Sequence, residues 1–189
     1  LSDVLKENAS SIVSELEEMG TESILLTGDN PQAAEFIASK IGIKRVFAGL
    51  LPLGKVEKIK ELRSAGKKVC MVGDGVNDAP ALKIADVGVA MGAMGSDIAV
   101  DAAEIALMGD DVSKIPYLKR LSMATVSLIK FNISLSMAIN IIAITLSVMA
   151  LLNPVTGALV HNAGSVLVVL NAGLLYDRDY IKKKNGQNK

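Results

Sequence analysis

The ten residues Gly73 to Leu82, GDGVNDAPAL, set two carboxylates, Asp74 and Asp78, on a glycine-rich turn directly after the apolar run Val69 to Val72. Two acidic groups four residues apart on such a turn suit Mg²⁺, which takes one or two carboxylates and completes its shell with water and phosphate oxygens. The same turn could be a surface feature with Asp78 as a helix cap, and a bare GDG does not separate the two readings. A second string, Thr27-Gly28-Asp29-Asn30, places a hydroxyl, a glycine and a carboxylate after the apolar run Ser23 to Leu26. Between them lies LPLGK, Leu51 to Lys55, with Pro52 opening a helix and Lys55 one turn inside it. An ammonium there can face an anion held by the two turns, although a lone lysine on a helix is more often a solvated face.

The elements that must carry these residues alternate along the first 120 positions. Helical patterns at Lys6 to Glu18, Pro31 to Lys40 and Leu53 to Ser64 separate strand-like runs at Ser23 to Leu26, Arg45 to Ala48 and Lys68 to Val72. Short helices at Ala79 to Ile84 and Ser96 to Ala102, and strands at Val87 to Ala90 and Ile105 to Leu107, complete the series. That alternation predicts an α/β domain with a parallel sheet wrapped by helices. In such sheets the ligand crevice lies at the carboxyl ends of the strands, where Thr27 to Asp29 and Asp74 fall. Cys70, the single cysteine, falls within a predicted core strand; an inert core thiol and a metal ligand are both open to it, and no disulfide framework exists.

In this order and spacing, LLTGDN, LPLGKVEKIKEL, MVGDGVNDAPAL and MGAMGSDIAVDAAEIALMGDD resemble the phosphorylation domain of P-type ATPases, cation pumps of the haloacid-dehalogenase superfamily. The resemblance covers nearly the whole chain and implies a Rossmann-like, haloacid-dehalogenase-type fold. It implies that Thr27, Gly28 and Asp29 help position the water that hydrolyses an aspartyl-phosphate, that Lys55 steadies the phosphoryl charge, and that Asp74 holds Mg²⁺. Asn77 and Asp78 would support the phosphate and the metal shell. Such roles fit phosphoryl transfer, where catalysis is mainly positioning and charge neutralisation. The nucleophile string of the family, DKTGT, is absent from these residues, as are its nucleotide-binding and actuator domains, so ATP would bind through a domain outside this sequence. The expectation is therefore a C-terminal part of a longer pump. A membrane-anchored phosphatase of the same superfamily and a non-catalytic split-gene or partner polypeptide are the competing readings.

A net charge of zero and a mean hydropathy of +0.40 average over two unlike halves. Residues 1–120 are mixed in character, whereas 121–189 comprise a helical stalk, two apolar spans and a basic tail. Phe131 to Leu152 carries no charge over 22 residues, enough to cross about 30 Å of hydrocarbon. Asn153 and Pro154 are expected to end that helix, and a second uncharged run, 155–175, returns. Lys114, Lys119, Arg120 and Lys130 precede the spans, and Arg178 and Lys182 to Lys184 follow them. By the positive-inside tendency the α/β domain and the tail share the cytoplasmic side of a multi-pass membrane protein. The long helix from Val112 to Leu152 would join the phosphate site to the membrane part.

Polar residues within the spans point to cargo. Asn132, Ser136 and Asn140 recur every four residues on one helical face, and His161 and Ser165 do likewise, with Asn162 beside them and Asn171 farther on. Imidazole is a common transition-metal ligand, so Asn140, His161 and Ser165 are candidate ligands of a transported ion; hydrogen bonds between packed helices are the alternative. HNAGSVLVVLNA, His161 to Ala172, resembles the last membrane helix of heavy-metal-transporting P-type ATPases. Copper pumps usually carry Tyr-Asn and a Met with paired serines, where this chain has Ile139, Asn140, His161, Gly164 and Ser165. The intramembrane Lys and DxG of zinc, cadmium and lead pumps are absent, and branches proposed to act on manganese, zinc or cobalt are closer, so the ion stays open. Expected partners are a transition-metal ion, the lipid bilayer and the remaining domains of the pump, with no nucleic acid.

Overall fold

The structure is a computed structural model that describes residues 8–73, 76–91, 100–107 and 111–177. Its contacts divide the chain into two compact units, Leu1–Pro116 and Tyr117–Lys189.

The first unit is built from parallel strands joined by helical crossovers. β1 (Ile24–Leu26) pairs with β2 (Arg45–Phe47), Ile24 opposite Arg45 and Leu26 opposite Phe47. α1 (Ala9–Glu18) precedes β1 and packs on α2 (Pro31–Ile41), the crossover from β1 to β2. Parallel neighbours cannot be joined by a tight hairpin, which is why a helix intervenes. Local chemistry sets its limits. The Ala33 amide donates to Asn30 Oδ1 at 2.9 Å, Pro31 occupies the first helical turn, and Gly42 closes the helix in the left-handed region at φ 84°.

α3 (Pro52–Ser64) leads to β3 (Cys70–Gly73), and α4 (Ala79–Ile84) crosses to β4 (Val87–Ala90), which pairs in parallel with β3 and with β5 (Ile105–Ala106). α3 and α4 pack together over this sheet. Ile59 and Leu82 are fully buried at their contact with Met71, Ala81 and Ala90, and Leu26 and Val56 pack against the cluster. Burying an aliphatic side chain of this size favours the fold by about 1.5–3 kcal/mol, and the cluster thereby ties the roots of the site-bearing turns together.

Two local expectations differ from what is found. Cys70 is exposed, because strand alternation turns it to the face opposite buried Met71; its ladder partner Val87 is exposed as well. Asp78 makes no side-chain capping bond to α4, since a short 3-10 turn, Val76–Asp78, precedes that helix and the carboxylate is engaged elsewhere.

The second unit is a helical hairpin. α5 (Lys114–Val148) runs unbroken for 35 residues, about 52 Å, and α6 (Pro154–Asp177) follows after a short turn. Both are long and apolar enough to cross a membrane, and neither apolar window is buried by the rest of the chain. Ile133, Met137, Ile141, Ile144, Leu159, Val166, Val169 and Leu170 are all exposed, which suits hydrocarbon rather than water. α5 stops before the expected Asn153. The Leu151 amide reaches back to the Leu146 carbonyl at 2.9 Å while Ala150 turns left-handed at φ 57°, an arrangement that closes a helix. Asn153 instead begins α6, its Oδ1 accepting from the Thr156 amide at 2.8 Å, and Pro154 is the first helical residue.

Candidate functional site

The turn after β1 is braced from within and from the side. Thr27 Oγ1 donates to Asp29 Oδ2 at 2.8 Å and accepts from the Asp29 amide at 3.1 Å. The Gly49 amide donates to the Asp29 carbonyl at 2.8 Å, and the Leu50 amide to the Thr27 carbonyl at 3.0 Å. Gly28 fits beneath this stitch, since a Cβ there would lie 3.3 Å from the Leu50 carbonyl oxygen. The Asp29 carboxylate is thereby aimed by its own turn while staying exposed to solvent.

The 49–50 segment that braces Thr27 and Asp29 leads directly into α3, so the start of this helix is held relative to the first turn. Lys55 sits in the opening of α3, its amide bonded to the Leu51 carbonyl at 3.2 Å. Its Nζ donates to Asp78 Oδ1 at 2.6 Å, and both side chains are only 14% exposed. An ion pair so shielded is screened less by salt than an exposed one. Gly73 makes room for it: a Cβ at this position would come within 2.7 Å of Asp78 Cβ and 3.0 Å of Asp78 Oδ2. Close approach at Gly73 and the lysine across from it together fix the Asp78 carboxylate.

Lys55 and Asp78 thus meet, Thr27 and Asp29 meet, and the braced loop links the two pairs through the chain. Asn77 is exposed on the 3-10 turn beside Asp78. Asp74 lies outside the described residues. Among the described residues no three His, Cys, Asp or Glu side chains gather as a metal centre. Oxygen donors from one or two carboxylates still fit Mg²⁺, because that ion leaves most of its shell to water and phosphate. Gly73 is legible in the sequence as a glycine that allows close approach just ahead of an acidic turn, although not as the residue that makes room for the Asp78 side chain, and the bracing by Gly49 and Leu50 has no local signal.

Farther along the chain, His161 Nδ1 faces Asn140 Oδ1 at 3.4 Å across the hairpin. The Ser165 hydroxyl donates to the His161 carbonyl at 3.1 Å, so its proton is committed to its own helix. Asn171 Nδ2 donates to Asn132 Oδ1 at 2.6 Å, a shorter contact between α5 and α6 than that of His161 with Asn140.

Comparison with known proteins places these features. Residues 1–86 match the family model for haloacid dehalogenase-like hydrolases. A cadmium-transporting ATPase from Staphylococcus aureus is 40% identical over 173 residues, covering 91% of this chain and 24% of that protein. A copper-exporting P-type ATPase from Mycobacterium leprae is 42% identical, covering 91% of this chain and 22% of its own length. The crystal structure of a zinc-transporting PIB-type ATPase in the E2·Pi state superposes with a TM-score of 0.86 at 36% identity, over 92% of this chain and 28% of that one. The chain therefore spans about a quarter of the length of the curated relatives it matches. Parallel-stranded α/β architecture, two membrane-length helices and identity of this order along nine-tenths of the sequence lead to one conclusion: the chain is homologous to a part of heavy-metal-transporting P-type ATPases.

Proposed function

We propose that this chain is the part of an ATP-driven transition-metal pump that holds the phosphoryl group for hydrolysis and lines one side of the ion path. The observation that carries the reading is the shielded Lys55–Asp78 pair, joined through the 49–50 segment to the braced turn Thr27 to Asp29 in one α/β unit. In this role the Lys55 ammonium neutralises charge on a phosphoryl oxygen, and Asp78 keeps that ammonium in place. Asp29, oriented by Thr27 and exposed, accepts a hydrogen bond from the attacking water. Gly28 keeps the turn narrow enough for the phosphoryl group to approach the backbone, and Asn77 donates to its periphery. Asp74 and Asp78 are the residues that would hold Mg²⁺, which supplies charge neutralisation at the phosphoryl oxygens when bound.

The phosphorylated aspartate and the nucleotide site belong, in this reading, to other parts of the pump, since no DKTGT string occurs in these residues. The division falls at about residue 120, with the phosphorylation domain before it and the stalk, spans and basic tail after it. The α/β unit and the tail are cytoplasmic, as the basic residues flanking the spans favour. The cargo is a transition-metal ion, in keeping with the cadmium, copper and zinc named for the relatives, and Asn140 with His161 is the contact offered to it. Ser165 contributes through its hydroxyl oxygen, which keeps acceptor capacity while donating to its helix.

The test is phosphoenzyme turnover in the intact pump. Labelled from radioactive ATP and then chased with unlabelled ATP, Asp29→Asn is expected to retain its phosphate at least about tenfold longer than the unaltered pump, the usual scale for loss of a proton-handling carboxylate being 10²–10⁴. Decay at the unaltered rate would remove Asp29 from the hydrolytic role.

A further inference from the structure

The seam between α5 and α6 carries a regularity that the ion-path reading does not use. Seven residues along α5 separate Asn132 from Ile139, and seven residues back along α6 separate Asn171 from Gly164. Asn132 meets Asn171 at 2.6 Å, and Ile139 packs on Gly164, where an added Cβ would lie 3.2 Å from Ile139 Cδ1. One antiparallel register therefore runs through both contacts, and Asn140 faces His161 immediately beyond them. Seven residues make about two helical turns, or about 10 Å of seam.

We propose that the Asn132–Asn171 amide bridge is a positioning clamp that sets the register of α5 against α6 and so holds His161 opposite Asn140; the consequence for metal rests on the ion-path reading above. Aliphatic packing in a membrane has no hydrophobic drive of its own and tolerates sliding, because lipid tails are as apolar as leucine. A directional hydrogen bond does not tolerate sliding. An amide pulled from its partner within hydrocarbon finds no water to replace it. The two asparagines are partly buried at their contact, whereas the His161–Asn140 contact is longer and exposed, as suits groups that open to a ligand. The clamp and the ligand pair thus divide the work: one fixes geometry, the other stays available.

The seam supplies its own reporter. A Cβ on Gly164 lies 4.0 Å from Ile139 Cβ, within the range of about 3.5–4.5 Å that a disulfide requires. The experiment places Ile139→Cys with Gly164→Cys in the intact pump in membranes and follows the 139–164 disulfide under mild oxidation by mass spectrometry of that peptide pair. Asn132→Leu and Asn171→Leu are each expected to slow its formation by roughly three- to tenfold, the scale of one interhelical hydrogen bond in a membrane. The double variant is expected to be no slower than either single one, because the same bond is lost. In pumps without the cysteines, the metal concentration giving half-maximal ATPase should rise by a similar factor, with the maximal rate little changed.

Unaltered disulfide formation in both leucine variants would overturn the clamp. A slowed disulfide with an unaltered half-maximal metal concentration would overturn its positioning role, provided that His161→Ala does weaken the metal response. An unaltered metal response in His161→Ala would instead overturn the ion-path reading, and the clamp would then be decided by the disulfide alone.

Discussion

The proposed site residues of the α/β unit depend on small neighbours as much as on charge. Gly73 accommodates the Asp78 side chain at a distance no Cβ could share, so Gly73→Ala must push Asp78 away from Lys55. Misplacement of a catalytic group by about 1 Å can cost on the order of a hundredfold in rate, and a loss of that size is expected in the metal-stimulated ATPase of the intact pump. Lys55→Met leaves the Asp78 carboxylate shielded without its cation. Unfolding by urea is expected to show the chain destabilised by about 1–3 kcal/mol, the cost of an unsatisfied buried polar group. The types and order of Thr27, Asp29, Lys55 and Asp78 were legible in the sequence because strand-end turns and helix starts have local signatures. Their pairing was not, because the contact between Lys55 and Asp78 joins residues on different elements, and capping chemistry alone would have assigned Asp78 to α4.

Elements are legible from period and punctuation, and where these are strong the structure agrees closely: Asn30-Pro31 opens α2, Pro52 opens α3, and Val87–Ala90 is β4. Cys70 and the end of α5 depart because period alone does not say which face of a short strand is covered, and because an alanine gives no warning of a left-handed turn. Ala150 holds φ 57° without the freedom of glycine. Ala150→Gly is expected to stabilise the hairpin by about 1 kcal/mol, read as a higher detergent-unfolding midpoint. Asp86 joins β3 to β4 by a different device. Its carboxylate accepts from the Val69 amide at 3.0 Å and lies near Lys68 and Arg63, and these hold its pKa below the usual aspartate value, the amide bond contributing most. Because the folded value is the lower one, the stabilisation is complete above the ordinary aspartate pKa and disappears as pH falls through the folded pKa. Asp86→Asn should therefore flatten the acid limb of the stability–pH curve, a change visible in denaturant midpoints from neutral pH downward.

At the scale of the whole molecule, two units with different solvents share one chain, and α5 runs without a break from Lys114 to Val148. The apolar spans were legible because a run of about twenty uncharged residues suits hydrocarbon and little else, and the α/β unit because its strands and helices alternate. The interhelical pairs were only half legible: helical spacing put Asn132 and Asn140 on one face, but the partner of each depends on hairpin register, which the period of a single helix does not contain. If α5 couples the proposed phosphate site to the proposed ion path, four residues inserted near Ser122 would leave ATP hydrolysis no longer stimulated by metal. The most direct test of the account is the ATPase activity of the intact pump across Cu⁺, Zn²⁺, Co²⁺ and Mn²⁺, with Lys55→Ala and His161→Ala measured beside it. The account predicts stimulation by a restricted set of these ions, loss of turnover with every ion in Lys55→Ala, and loss of the selective response in His161→Ala. Full metal-stimulated turnover in both variants would contradict it.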